Sequence, residues 1–163
     1  PTPTAQDLLG QALRSLRRGH DPAGALEILA RHAGLFPDSA LAGERIQLEV
    51  EALLALGRHA EALTRLDGMA LDAIPRAAER HVVRGELRAR VRRWNEAAAD
   101  FEQALAHAQA GSPWHERALW GRALARSHGG DGVGSTADMR LYLQIYPQGR
   151  FAHEATRSLA EKP

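Results

Sequence analysis

An all-α array of helical hairpins is what this sequence predicts, on three observations. A phrase recurs along the chain: a helix, a Gly- or Arg-bearing turn, then Ala followed at helical spacing by Leu or Phe. It reads Gly19-His20-Asp21-Pro22-Ala23-Gly24-Ala25-Leu26, Gly57-Arg58-His59-Ala60-Glu61-Ala62-Leu63 and Arg92-Arg93-Trp94-Asn95-Glu96-Ala97-Ala98. The turns lie 38 residues apart from Gly19 to Gly57 and 35 from Gly57 to Arg92, the length of two antiparallel helices with their connections. Lastly, no segment alternates apolar and polar residues with the two-residue period of a half-buried strand.

The elements follow in order. Thr4-Ala5-Gln6-Asp7 has capping-box spacing, and Leu8, Leu9, Ala12, Leu13 and Leu16 continue a first helix to Arg18. Asp21 is placed to cap the second helix, with Pro22 at its first position, and that helix runs to about Leu35. Pro37-Asp38-Ser39 restarts the chain for a helix from Ala40 to Leu56 carrying the stripe Ile46, Val50, Leu53 and Leu54, and Gly57 ends it. The chain returns from His59 to Leu71, Pro75 punctuates, and Arg76–Val91 with Trp94–Ala110 form a third hairpin. Gly111-Ser112-Pro113 stops and restarts the chain for Trp114–Ser127. A Gly-rich stretch, His128 to Gly134, reads as an expanded turn, followed by Ser135-Thr136-Ala137-Asp138 as a second capping box and a helix to Tyr146. Gly149 to Ala160 is a last helix that covers the open end.

In the third unit, Gly85 in the first helix with Trp94, Ala97, Phe101 and Ala104 on one face of the second resembles a tetratricopeptide repeat. The second copy keeps Gly57, Ala62, Leu63 and Leu66 but has His59 and Val50 where the family prefers an aromatic and a small residue, and the first has an extra turn residue. A fourth is traced through Trp120-Gly121, Ala137, Leu141 and Tyr142. The resemblance implies a right-handed α-solenoid of about four hairpins, over approximately 5–37, 38–75, 76–111 and 112–147, with a capping helix at 149–160, as one domain after a linker at 1–4. Leu35-Phe36-Pro37-Asp38 and Ile145-Tyr146-Pro147-Gln148 are similar to the aromatic-Pro endings of repeats in bacterial cell-envelope proteins and regulators.

Composition bounds the function. With 21 Lys and Arg against 20 Asp and Glu, a net charge of +1 supplies no global attraction to nucleic acid or to an anionic membrane. Cysteine is absent, which fits an oxidising periplasm and a cytoplasm equally. No apolar run reaches the ~20 residues of a membrane span. The opening Pro1-Thr2-Pro3-Thr4 reads as a linker, so the expectation is a soluble piece of a larger bacterial protein whose preceding part carries an anchor, a signal or an enzymatic domain.

Chemistry finds little support. No two of the 8 histidines sit three or four residues apart on one helix, and His115-Glu116 lacks the second His of a zinc motif, so neither a metal nor a cofactor is expected. No Gly-x-Ser-x-Gly elbow is present, and an enzyme is not expected. Gly129 to Thr136 matches a phosphate-binding loop except that Ser135 stands in place of its Lys, and it follows a helix, not a strand. Asp131 and Asp138 are too few carboxylates for calcium. The basic run Arg88-Ala89-Arg90-Val91-Arg92-Arg93 reads as a solvated face paired with Glu86 and Glu96, with Trp94 wedged between helices, so no nucleic-acid partner is expected.

The resemblance places a site on the concave face, which the first helix of each hairpin lines. It selects Glu44, Gln47, Glu51 and Leu54 in the second unit, Glu79, Val82, Glu86 and Arg90 in the third, and His115, Arg122 and Arg126 in the fourth. These define a groove running from acidic to basic that suits an extended peptide or helix of complementary polarity, with Leu54 and Val82 as apolar contacts. The expected function is protein–protein interaction; the alternatives are a spacer or self-associating element and an accessory domain of an enzyme.

Overall fold

A computed structural model describes residues 2–74 and 76–161, so Pro75, the expected punctuation, lies outside the described residues. These residues form two compact units, one up to Met69 and one from Ala70. Among the described residues no helix is long and apolar enough to cross a membrane.

The first unit holds α1 (Ala5–Arg17), α2 (Pro22–Leu35), α3 (Ala42–Ala55) and α4 (His59–Asp67). The capping box forms as its residues dictate: the Asp7 N–H donates to the Thr4 hydroxyl at 3.1 Å and the Thr4 N–H to the Asp7 carboxylate at 3.0 Å. Asp21 caps α2 through the Gly24 N–H at 2.9 Å. Ala12 and Leu16 of α1 close on Ala25 and Leu29 of α2 and on Leu48 and Ala52 of α3. Leu8 and Leu29 are almost fully buried, which contributes about 2 kcal/mol apiece.

The second unit opens with a 3-10 turn, Leu71–Ala73, and continues with α5 (Ala77–Arg90), α6 (Trp94–His107), α7 (Pro113–His128), α8 (Gly132–Ile145) and α9 (Ala152–Ala160). Phe101 of α6 is its pivot. A Cβ on Gly85 of α5 would lie 3.0 Å from the Phe101 ring, and one on Gly121 of α7 only 2.6 Å from it. Two glycines thus let two helices close on one aromatic ring. Helix α9 covers the end of α7 and α8: Trp120 stacks on Phe151 with centroids 5.4 Å apart, over a buried Tyr142. Burial and a hydrogen bond to Glu116 push the Tyr142 hydroxyl up to about 12, so it stays protonated and donates to Glu116 at 2.5 Å while accepting from the Phe151 N–H at 2.9 Å.

Every hairpin turn contains a left-handed residue: His20 (φ 50°), Gly57 (φ 71°), Arg92 (φ 63°) and Gly130 (φ 92°). In the last three the next residue's N–H reaches back five positions: Arg58 to Leu53 at 2.8 Å, Arg93 to Arg88 at 2.9 Å and Asp131 to Arg126 at 2.8 Å. That is a Schellman closure, which satisfies a carbonyl at the helix end. The first turn is longer, its Asp21 N–H reaching the Ser15 carbonyl at 3.0 Å, as its extra residue demands.

The Gly-rich stretch departs from expectation. It is a short turn because α7 extends to His128 and α8 starts at Gly132. Asp131 is the true cap, accepting from the Gly134 N–H at 2.8 Å, as Asp21 does from Gly24. A Cβ at either Gly24 or Gly134 would lie 2.1 Å from the capping carboxylate, which would have to shift to admit it. Ser135 and Asp138, expected as a capping box, are instead buried inside α8, and no open loop remains to cradle a phosphate.

Candidate functional site

In the first unit, Glu44 is exposed on α3 while Gln47, Glu51 and Leu54 are half-buried. Glu51 reaches Arg17 of α1 at 3.2 Å, so its charge already has a partner.

In the second unit the expected face separates into three groups. Glu79 pairs with Arg76 at 2.6 Å, Arg90 is exposed, and Glu86 of α5 accepts from Arg117 of α7 at 2.7 and 2.8 Å. The Arg117 guanidinium also lies 4.8 Å from the Trp114 ring centroid, so carboxylate, cation and indole form a ladder across two neighbouring first helices. Val82 leaves the expected surface: it is fully buried against Ala97, Phe101 and Ala118 and serves the core. His115 turns to the Tyr146 hydroxyl, 2.6 Å from its Nδ1, and burial together with the Arg122 charge holds it below the ordinary imidazole range.

Arg122 and Arg126 face inward. Both bind the buried Asp138 of α8, Arg122 at 2.7 and 3.0 Å and Arg126 at 2.8 Å. The basic end of the expected gradient is therefore compensated within its own hairpin. Arg84 and Arg88 treat the buried Asp100 of α6 in the same way, at 2.7 to 3.1 Å, so Arg88 is not the solvated residue its basic run suggests. Burial pushes the Asp100 carboxyl up, but hydrogen bonds from His81 and Arg84 and the Arg84 and Arg88 charges outweigh it and leave it below the ordinary carboxylate range. In the hairpin of α3 and α4 the signs are reversed, with the buried Glu49 held by Arg45 and, at 3.1 Å, by Arg65. Glu49–Arg65, Arg84–Asp100 and Arg122–Asp138 are each separated by 16 residues. An apolar-periodicity search passes over this pattern, although opposite charges at a constant interval are its sequence signal. Trp94 is half-buried and stacks on His128 at 4.6 Å.

One cluster of possible metal ligands is assembled from three separate elements. Asp72 of the 3-10 turn, His81 of α5 and His107 at the end of α6 converge, with the Asp72 Oδ1 lying 2.8 Å from the His81 Nε2 and 2.9 Å from the His107 Nε2. Hydrogen bonds from His81 and His107 hold the Asp72 carboxyl below its ordinary range. His81 and His107 lie on opposite arms of a hairpin, so their spacing in sequence reflects a turn and not a helical pitch.

Antiparallel helical hairpins in series, with small residues at the close approaches and a terminal helix over the last pair, define a protein of the tetratricopeptide-repeat fold. The solved structures agree. The chain matches MamA 41-end from Desulfovibrio magneticus RS-1 at 21% identity with a TM-score of 0.72, covering 96% of this chain and 93% of that one. A MamA RS-1 ArsTM double mutant gives 20% identity, a TM-score of 0.75 and coverage of 96% and 85%. A tetratricopeptide repeat protein from Parabacteroides merdae gives 19%, 0.76, and 95% and 58%. No protein-family model matches the sequence, and no curated protein matches it significantly.

Proposed function

We propose that the chain is a protein-interaction module that binds an extended peptide or a helix of a partner protein on the face of α5 and α7, the first helices of two successive hairpins. The observation that carries this reading is the Glu86–Arg117–Trp114 ladder, which joins α5 to α7 through half-exposed side chains. Such a ladder offers a partner charge, hydrogen-bonding capacity and an aromatic surface at one place, the mixture that gives an interface its specificity and its anchors. Glu79 and Arg90 extend it along α5.

The test keeps the internal ion pair and reverses what the partner meets. The Glu86→Arg, Arg117→Glu double variant retains a bridge between α5 and α7, so thermal stability should stay within about 0.5 kcal/mol of the parent, as for a surface change. Affinity capture with parent and variant, read by mass spectrometry, should show a protein held by the first and lost by the second. Identical captures by both baits would remove this face from consideration.

A further inference from the structure

We propose that Asp72, His81 and His107 form a binding site for a divalent transition-metal ion of the zinc type. Their candidate ligand atoms, one carboxylate oxygen and two imidazole nitrogens, all lie within 4.8 Å of one another. That donor set suits zinc, cobalt or nickel, and three protein ligands with the remaining position left to water is a familiar zinc arrangement.

The surroundings of His81 point the same way. Its Nε2 faces Asp72, and its Nδ1 lies 3.3 Å from the Oδ1 of Asp100. Asp100 is itself buried and clamped by Arg84 and Arg88 at 2.7 to 3.1 Å. A carboxylate on the far nitrogen sets an imidazole's orientation, directs its other nitrogen at the metal and raises its basicity. His81 is 3% exposed on a well-packed helix, so this ligand is pre-positioned. Asp72 and His107 are 64% and 35% exposed, which leaves the open side of the cluster accessible to an ion.

The cluster has to contract around an ion. Ligand atoms about 2.0 to 2.1 Å from a tetrahedral zinc stand roughly 3.3 Å apart. Asp72 has to retreat by about half an ångström from the two nitrogens, and the nitrogens, which lie within 4.8 Å of each other, have to draw together, a movement that falls to the exposed Asp72 and the part-exposed His107 while His81 stays in place. The two rings are parallel within 4° but 5.9 Å between centroids, and both direct Nε2 at the same oxygen. An ion there would tie the 3-10 turn to both helices of the α5–α6 hairpin.

The test uses the tag-free chain. Co2+ titrated into it should give the d–d absorption of a low-coordinate imidazole site, saturating at one equivalent, and Zn2+ at about a hundred times its dissociation constant should raise the Tm by about 5 °C. His107→Ala and Asp72→Asn change exposed side chains, and both should abolish the spectrum and the shift. His153→Ala, an exposed histidine outside the cluster, should leave them intact. A parent with no Co2+ spectrum, or a His107→Ala or Asp72→Asn variant that keeps it, would overturn the assignment and leave the triad a hydrogen-bonded tether.

Discussion

His32 is fully buried on α2, and neither of its ring nitrogens meets a hydrogen-bonding partner among the described residues. Burial, and secondarily the Arg45 charge, hold it below the ordinary imidazole value of 6.5, with Glu49 opposing. The unfolded chain therefore takes up a proton that the folded chain refuses. His32 costs no pH-linked stability well above 6.5, and stability falls as pH drops from there through the depressed folded value. Leucine fits a site that makes no polar bond, so His32→Leu should match or exceed the parent at neutral pH and flatten the loss between about pH 7 and 5. Urea denaturation across that range checks it; an unchanged slope would mean His32 is not the titrating group. Strain at Arg92 gives a second outcome at this scale. A left-handed non-Gly residue costs about 1 kcal/mol, so Arg92→Gly should raise stability by up to that amount in the same experiment. Gly121→Ala should do the reverse, costing about 1 to 3 kcal/mol because its Cβ meets the Phe101 ring at 2.6 Å.

The hairpin is the unit in which buried charge is balanced. Removing the Asp138 carboxylate leaves Arg122 and Arg126 facing each other beside α8, and Asp138→Ala should cost about 3 to 5 kcal/mol in a guanidinium melt. A neutral effect would show that water reaches the site. Element by element, most of this was legible. The caps at Thr4 and Asp21, the stop at Gly57 and the role of Gly85 follow from local rules that residue type alone can state. The start of α8 did not, because Gly132 and Gly134 suggest a loop until Asp131 is seen to cap across them. The residues expected on a concave face lie on helices as their spacing implies, but the direction of each side chain did not follow from that spacing. Val82 lies on the same side of α5 as Glu79 and Glu86 but is covered by the neighbouring helices, and Arg122 and Arg126 turn inward because a carboxylate on another helix draws them there. The Asp72–His81–His107 cluster is assembled by a turn and a hairpin, which no single-helix spacing reports.

At the scale of the whole molecule, the two compact units have separate cores. The first draws on α1, α2 and α3, and the second on α5 through α9, with Phe101 and Tyr142 at its two centres. A fragment beginning at Ala70 should therefore fold alone with a cooperative thermal transition by circular dichroism, retaining α9 as its cover. The shorter first unit buries less surface per residue, and isolated it should melt lower. A non-cooperative Ala70 fragment would show that its core depends on the preceding helices.

Repeat chains face an error peculiar to them: helices from different copies are similar enough to pair with the wrong neighbour. The reversed polarity of the Glu49–Arg65 hairpin acts as an address against that exchange. If α3 docked on α6 in the native register, Glu49 would meet Asp100; if α5 docked on α4, Arg84 would meet Arg65. Either mispairing buries like charges and is rejected. The α5–α6 and α7–α8 hairpins share one polarity and enjoy no such protection from each other, so exchange between molecules, if it occurs, should be confined to those two pairs.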